Sequence, residues 1–235
     1  MVTGAGRGIG LGAATALAEA GATVTLVARS SGEIEAAALA IGQGSIAETL
    51  DVSDLAAVRT FFADRPAFDI LVNNAGTNRP MIMTAVEEED FDAVMSLNVK
   101  AAFFIAQACA RKMIEAGVGG SLIHMGSQMG HVGGPRRSLY CASKWALEGM
   151  NKAFALDLAA NGIRSNTIAP TFIETPMTRP FLEDDEFKAS VLEKIKLGRI
   201  GQVSDLMGAI VFLASDASAL MTGTSLIVDG GWTAD

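Results

Sequence analysis

A phenol and an ammonium one helical turn apart can move a proton to and from a substrate oxygen. Tyr140 and Lys144 have that spacing within 139–161, a stretch of helical pattern, so both side chains leave one face and reach one cavity. Free tyrosine titrates near 10 and keeps its proton at neutrality, so a neighbouring positive charge has to favour the phenolate. Lowering that pKa by about three units takes about 4 kcal/mol. Ser127 follows the apolar run 122–125 and offers a hydroxyl at a strand end, where it can orient a substrate oxygen. Such a set can serve the proton half of hydride transfer between an alcohol and a carbonyl, without a metal or a covalent enzyme intermediate. Taken singly, Tyr140 and Lys144 also describe a surface helix pair, and Ser127 a turn cap.

A second cluster could hold the hydride carrier. Thr3-Gly4-Ala5-Gly6-Arg7-Gly8-Ile9-Gly10 lies between a short apolar strand and a helical pattern. Glycines there allow a tight turn and close approach to a pyrophosphate, with a helix N-terminus facing the anion; a flexible turn is the plainer alternative. At the end of the next strand, Ala28 stands where an acidic residue would bond the ribose of NAD, and Arg29 follows. A guanidinium there suits a 2′-phosphate, so NADP(H) is favoured, NAD(H) is the alternative, and Arg7 is a second phosphate candidate.

These groups need a scaffold to bring them together. Runs at 24–28, 70–73, 122–125, 164–169 and 225–228 read as strands, and 10–20, 54–64, 87–116, 139–161 and 205–214 as helices. The alternation predicts right-handed βαβ crossovers and an α/β class: a single Rossmann-like, doubly wound domain over 1–235, its parallel sheet covered by helices on both faces. Half of the residues are hydrophobic and 25 are glycine, as buried parallel strands require. Met1, Val2 and Thr3 would form a short first strand, so native residues upstream of Met1 are expected. The segment 171–197, acidic and then amphipathic from 181 to 196, is expected to be a mobile substrate lid.

Net charge −8 and a pI near 4.8 oppose a nucleic-acid or anionic-membrane surface, which leaves a small molecule as ligand. Cys109 and Cys141 lack CxxC spacing, so neither a disulfide nor a zinc framework is expected and a cytoplasmic location is. His124 and His131 are the only imidazoles, and no metal site is expected. No apolar run approaches the roughly 20 residues of a membrane span, and no cleavable leader is evident. His124, within an apolar strand, reads as a hydrogen-bonded core residue.

Taken in order, the motifs resemble the classical short-chain dehydrogenase/reductase family from end to end. The glycine turn has the form T-G-x-x-x-G-x-G; Asp51-Val52 resembles the pair beside the adenine; Asn73-Asn74-Ala75-Gly76 the motif closing the fourth strand. Tyr140-Cys141-Ala142-Ser143-Lys144 matches Y-x-x-x-K with Ser127 at the family's separation. Pro170-Thr171-Phe172-Ile173-Glu174-Thr175 resembles the nicotinamide-side loop, and Val228-Asp229-Gly230-Gly231 the terminal strand. The resemblance implies a catalytic set of Ser127, Tyr140, Lys144 and Asn98, the last holding, through backbone geometry, a water that links Lys144 to solvent. It implies cofactor contacts from Thr3, Gly4, Arg7, Gly8, Ile9, Gly10 and Arg29, from Asp51, Val52, Asn74, Ala75 and Gly76, and from Tyr140, Lys144, Pro170, Ile173 and Thr175. Thr171 replaces the usual glycine, so the loop is strained if that position needs a positive φ.

A homodimer or homotetramer through 98–116 and 139–161 is expected, as in the family. The segment 128–139 borders the substrate cleft in the resembling fold, which makes Gln128 and Arg137 substrate candidates, Arg137 for a carboxylate. The implied reaction is NADP(H)-dependent interconversion of a carbonyl and a secondary alcohol on a small polar substrate. A 3-oxoacyl-thioester reductase is the alternative within the class, and a non-catalytic nucleotide sensor the alternative outside it.

Overall fold

A computed structural model describes residues 1–234. Seven parallel strands form one sheet, ordered β3-β2-β1-β4-β5-β6-β7. They are β1 (Val2–Thr3), β2 (Thr25–Ala28), β3 (Ile46–Thr49), β4 (Ile70–Asn73), β5 (Gly120–Met125), β6 (Ile163–Pro170) and β7 (Ser225–Val228). Chain order reverses between β1 and β4, and the crevice beyond the strand C-termini at that switch point is where such sheets bind ligands. Adjacent strand residues face opposite ways. Val72 and Ile123 pack with Leu17 of helix α1 (Gly8–Glu19) and Ile210 of α9 (Ser204–Ala214). Leu71 and Leu122 pack with Val58 of α3 (Leu55–Ala63) and Ile105 of α5 (Ala102–Ala116).

Three stretches depart from the sequence pattern. Helix α2 (Ser31–Ile41) and strand β3 were not anticipated; β3 is an edge strand, its Ile46 exposed, so it needs no apolar run. The single helix expected over 87–116 is α4 (Glu88–Met95) and α5 joined by a π-helical turn, Ser96–Ala101. Glu88–Ala116 is long and apolar enough to cross a membrane by length and composition, although polar residues interrupt its apolar runs. Here it is a core helix: Ile105, Cys109 and Met113 are buried against the sheet.

Within 171–197, the chain forms α7 (Arg179–Leu182) and α8 (Asp185–Lys194). The long helix α6 (Ser138–Leu158) carries Tyr140 and Lys144. His124 is fully buried between β4 and β6, with Nδ1 3.4 Å from Asn73 Nδ2 and Nε2 3.2 Å from Ser165 Oγ.

Candidate active site

The glycine turn is shaped for a close backbone approach. Gly4 and Gly8 take φ of 63° and 57°, and a Cβ on Gly10 would stand 2.2 Å from the Gly4 carbonyl oxygen. Thr3 is buried below the turn, its Oγ1 accepting from the backbone N–H of Asn74 (3.0 Å) and Ala75 (3.1 Å). Asn74 Nδ2 returns a bond to the Thr3 carbonyl at 3.0 Å, so β1 and β4 are locked at the switch point. No side chain caps the first turn of α1, whose free N–H groups attract an anion.

Above the turn lies a cavity of about 240 Å³ lined by Gly4, Arg7, Gly8 and Ile9, by Arg29, Asp51 and Val52, and by Asn74, Ala75 and Gly76. Thr3 and Gly10 shape this cavity from beneath rather than line it. Arg29 lies 4.0 Å from Asp51, and Arg7 3.8 Å from Glu33, both pairs largely exposed. Burial raises the Asp51 pKa, but hydrogen bonds from Ser53 and the Arg29 charge outweigh it and hold the carboxyl below its ordinary value. Glu33 also lines the cavity and was missed, because α2 was missed. A bare glycine cradle, an uncapped helix end and two arginines fit a dinucleotide diphosphate carrying an extra phosphate.

A second cavity, about 140 Å³, contains Ser127, Tyr140, Lys144, Pro170 and Ile173, and shares Ile9, Asn74, Gly76 and Thr175 with the first. β5 delivers Ser127 at its C-terminal end, and α6 delivers Tyr140 and Lys144 one turn apart. Lys144 Nζ donates to the Met125 carbonyl at 2.7 Å and stands 5.4 Å from the Tyr140 ring centre. Burial draws the Lys144 ammonium down to about 8, with the Glu148 carboxylate opposing it. Burial also pushes the Tyr140 phenol above its ordinary value; a Ser127 hydrogen bond and the Arg137 charge partly counter this by favouring phenolate.

Asn98 sits in the π-helical turn, a distortion frequent at functional sites. Its side chain does not enter the cleft: Oδ1 accepts from Thr77 N at 2.8 Å, and Nδ2 donates to the Thr77 carbonyl (2.9 Å) and Ser143 Oγ (3.0 Å). Asn98 therefore ties the loop after β4 to α6. Gln128 also stays out of the cleft, accepting from Ser127 Oγ at 2.8 Å, so it competes with Tyr140 for the one Ser127 proton. Thr171 carries no left-handed strain: among described non-glycine residues only Gln43 and Arg136 have positive φ. Its N–H donates to the Val228 carbonyl at 3.3 Å.

A third cavity, about 220 Å³, is formed by Arg136, Arg137, Pro180, Phe181, Asp184 and Phe187 with Pro80 and Pro135. Arg136, at φ 60°, is exposed, whereas Arg137 is 6% exposed. The Arg137 guanidinium lies 5.8 Å from the Phe181 ring centre and 6.0 Å from that of Phe187. Of the acidic run, Glu183, Asp185 and Glu186 are exposed, and Asp184 caps α8 by accepting from Phe187 N at 3.0 Å.

A family model described as "Enoyl-(Acyl carrier protein) reductase" (adh_short_C2) matches residues 4–233. The chain is 43% identical over 166 residues to the 2-dehydro-3-deoxy-D-gluconate 5-dehydrogenase of Escherichia coli, covering 71% of this chain and 66% of that enzyme. It is 36% identical over 208 residues to the 3-oxoacyl-[acyl-carrier-protein] reductase FabG of Haemophilus influenzae, covering 87% and 85%. The crystal structure of a gluconate 5-dehydrogenase from Burkholderia cenocepacia, in complex with NADP and tartrate, superposes with a TM-score of 0.93 at 38% identity over 99% of this chain and 94% of that one. With these matches and the Ser127, Tyr140 and Lys144 cavity, the chain belongs to the classical short-chain dehydrogenase/reductase family, oxidoreductases that act on CH–OH groups.

Proposed function

We propose that this protein interconverts a ketone and a secondary alcohol on a small polyhydroxy carboxylate, using NADP(H) in preference to NAD(H). The observation that carries the reading is the sharing of walls between the glycine-turn cavity and the cavity of Ser127, Tyr140 and Lys144. When bound, the nicotinamide supplies or accepts the hydride. Ser127 Oγ orients the substrate oxygen by hydrogen bonding. Tyr140 Oη gives that oxygen a proton in reduction and takes it back in oxidation. The Lys144 charge stabilises the phenolate that forms in the first case and is needed in the second. Asn98 holds Thr77 and Ser143 in place behind them.

The carboxylate is assigned to Arg137. Its buried guanidinium, on the residue three before Tyr140 and close enough for its charge to act on that phenol, lines a cavity and lies over two aromatic rings, where a charge-assisted pair is stronger than in water. The segment 171–197 acts as the lid, with Phe181 and Phe187 as its inner face. Most of its acidic run faces solvent, which lessens the repulsion an anionic substrate would meet. The gluconate-type relatives act on carboxylates of this kind by name.

Initial rates with NADPH and NADH on a keto-acid sugar, a neutral ketose of equal length and a 3-oxoacyl thioester test the reading. The expected order is keto acid with NADPH first. Preference for the thioester would instead support the acyl reductase alternative, and no turnover on any substrate would support a nucleotide sensor.

We also propose a homodimer or homotetramer in the cytoplasm. An apolar groove of about 160 Å³ between α5 and α6, lined by Phe103, Ala110, Ile114 and Phe154, lies on the same helices as Trp145 and Leu156, which are 54% and 82% exposed. A monomeric mass at micromolar concentration would contradict the assembly.

A further inference from the structure

Glu148 lies one helical turn beyond Lys144 on α6, and nothing in the proton relay accounts for a carboxylate sunk there, its side chain 12% exposed. Its Oε2 accepts from Thr167 Oγ1 at 2.9 Å. Its Oε1 accepts from Ser225 Oγ at 3.3 Å and stands 3.5 Å from His131 Nε2. His131 Nε2 is in turn 2.9 Å from Ser225 Oγ. Thr167 belongs to β6, Ser225 to β7, and His131 follows the turn that carries Ser127, so one carboxylate joins two strands to that turn.

The same side chain presses on the backbone that seats Ser127. A Cβ on Gly126 would stand 2.8 Å from Glu148 Oε1, and one on Gly130 3.1 Å from Glu148 Cγ. Neither glycine has a positive φ, so turn geometry does not demand them. The space they leave is filled by Glu148, together with the Ile168 and Lys144 carbonyls.

We propose that Glu148 is a positioning residue for the reaction: held by Thr167, Ser225 and His131 beneath the Gly126–Gly130 turn, it fixes the seat of Ser127 and keeps the ammonium charge of Lys144 beside Tyr140. This rests on the reading of Tyr140 as the acid/base. Lys144 is buried, and its Nζ donates to the Met125 carbonyl. The charges facing it are few. Tyr140 is on its own helix, and Asn98 and Ser143 behind it are neutral. His131 reaches Glu148, and Arg137 acts on Tyr140. Glu148 and Lys144 stand four residues apart on one face of α6, and the Glu148 carboxylate raises the Lys144 pKa against burial.

The test is Glu148→Gln, which keeps size and one oxygen acceptor but loses the charge, assayed as kcat and kcat/KM against pH with NADPH and the best ketone. The expected result is a kcat lowered about tenfold at pH 7.5, with the alkaline limb moved down by about half a unit or more and cofactor Kd within about twofold of wild type. Wild-type kcat with unmoved limbs would overturn the proposal, as would a lowered kcat without any shift of the limb. If this variant does not fold, Thr167→Val carries the test, since it frees Oε2 while retaining the carboxylate; a kcat lowered severalfold with the alkaline limb left in place is expected, and wild-type kcat overturns the proposal. Tyr140→Phe, run in parallel, separates the two claims. An active Tyr140→Phe enzyme defeats the acid/base reading, whereas an inactive one beside an unaffected Glu148→Gln defeats only the role of Glu148.

Discussion

The Lys144 ammonium stands 5.4 Å from the centre of the Tyr140 ring, with one proton committed to the Met125 carbonyl. Burial lowers its pKa to about 8. The charge is present below that pH and lost above it, and the phenolate form of Tyr140 loses its support in the same window. Ketone reduction should therefore be flat near neutrality and fall as pH rises through about 8. Lys144→Met should lower kcat by about a hundredfold or more and remove that limb. A profile for Lys144→Met parallel to wild type would contradict the role.

Arg29 lines the cofactor cavity 4.0 Å from Asp51, and its side chain is free to leave that weak pair for a phosphate. A hydrogen bond to a charged group contributes about 1.5–3 kcal/mol, so Arg29→Ala should reduce kcat/KM for NADPH by about tenfold to a hundredfold and leave NADH within about threefold. Equal losses with both cofactors would reject the 2′-phosphate contact.

Arg137 gives a matched-substrate prediction. On a keto acid, Arg137→Gln should lower kcat/KM by about tenfold to a hundredfold. On a neutral ketose of the same length, the loss should stay within about threefold. Equal losses would show that the residue supports the lid or Tyr140 and does not bind a carboxylate.

His124 ties stability to pH. Full burial lowers its pKa from 6.5 to about 4, so between those values the unfolded chain binds the proton and the folded chain does not. Stability is fully present above about pH 6.5 and declines as pH falls toward 4, by about 3 kcal/mol at most. Urea unfolding at a series of pH values should show this slope in wild type and a shallower one in His124→Asn. Identical slopes would remove His124 as the cause.

The parts of this site legible in the sequence were those fixed by local pattern. Tyr140 and Lys144 share a face because a helix has a fixed period, and the glycine turn announces itself because Gly4 and Gly8 need positive φ. What escaped was set by tertiary context. Strand β3 has a single strand neighbour and so lacks the apolar run of a central strand, and with α2 unplaced, Glu33 could not be put in the cofactor cavity. Gln128, a substrate candidate by its place in the segment 128–139, turns its amide to Ser127, and the Asn98 side chain satisfies Thr77 and Ser143; spacing reports position along the chain, not which way an amide turns. The burial of Arg137, in contrast to the exposed Arg136, depends on Phe181 and Phe187, which are 44 and 50 residues away in the chain.

The central claim is that the Tyr140 hydroxyl carries the proton that accompanies the hydride, and Tyr140→Phe tests it most directly because the ring and its packing remain. Turnover with NADPH and the best ketone should fall by about a hundredfold or more, while the NADPH Kd and the melting temperature stay near wild type. Retention of near-normal turnover by Tyr140→Phe would contradict the account.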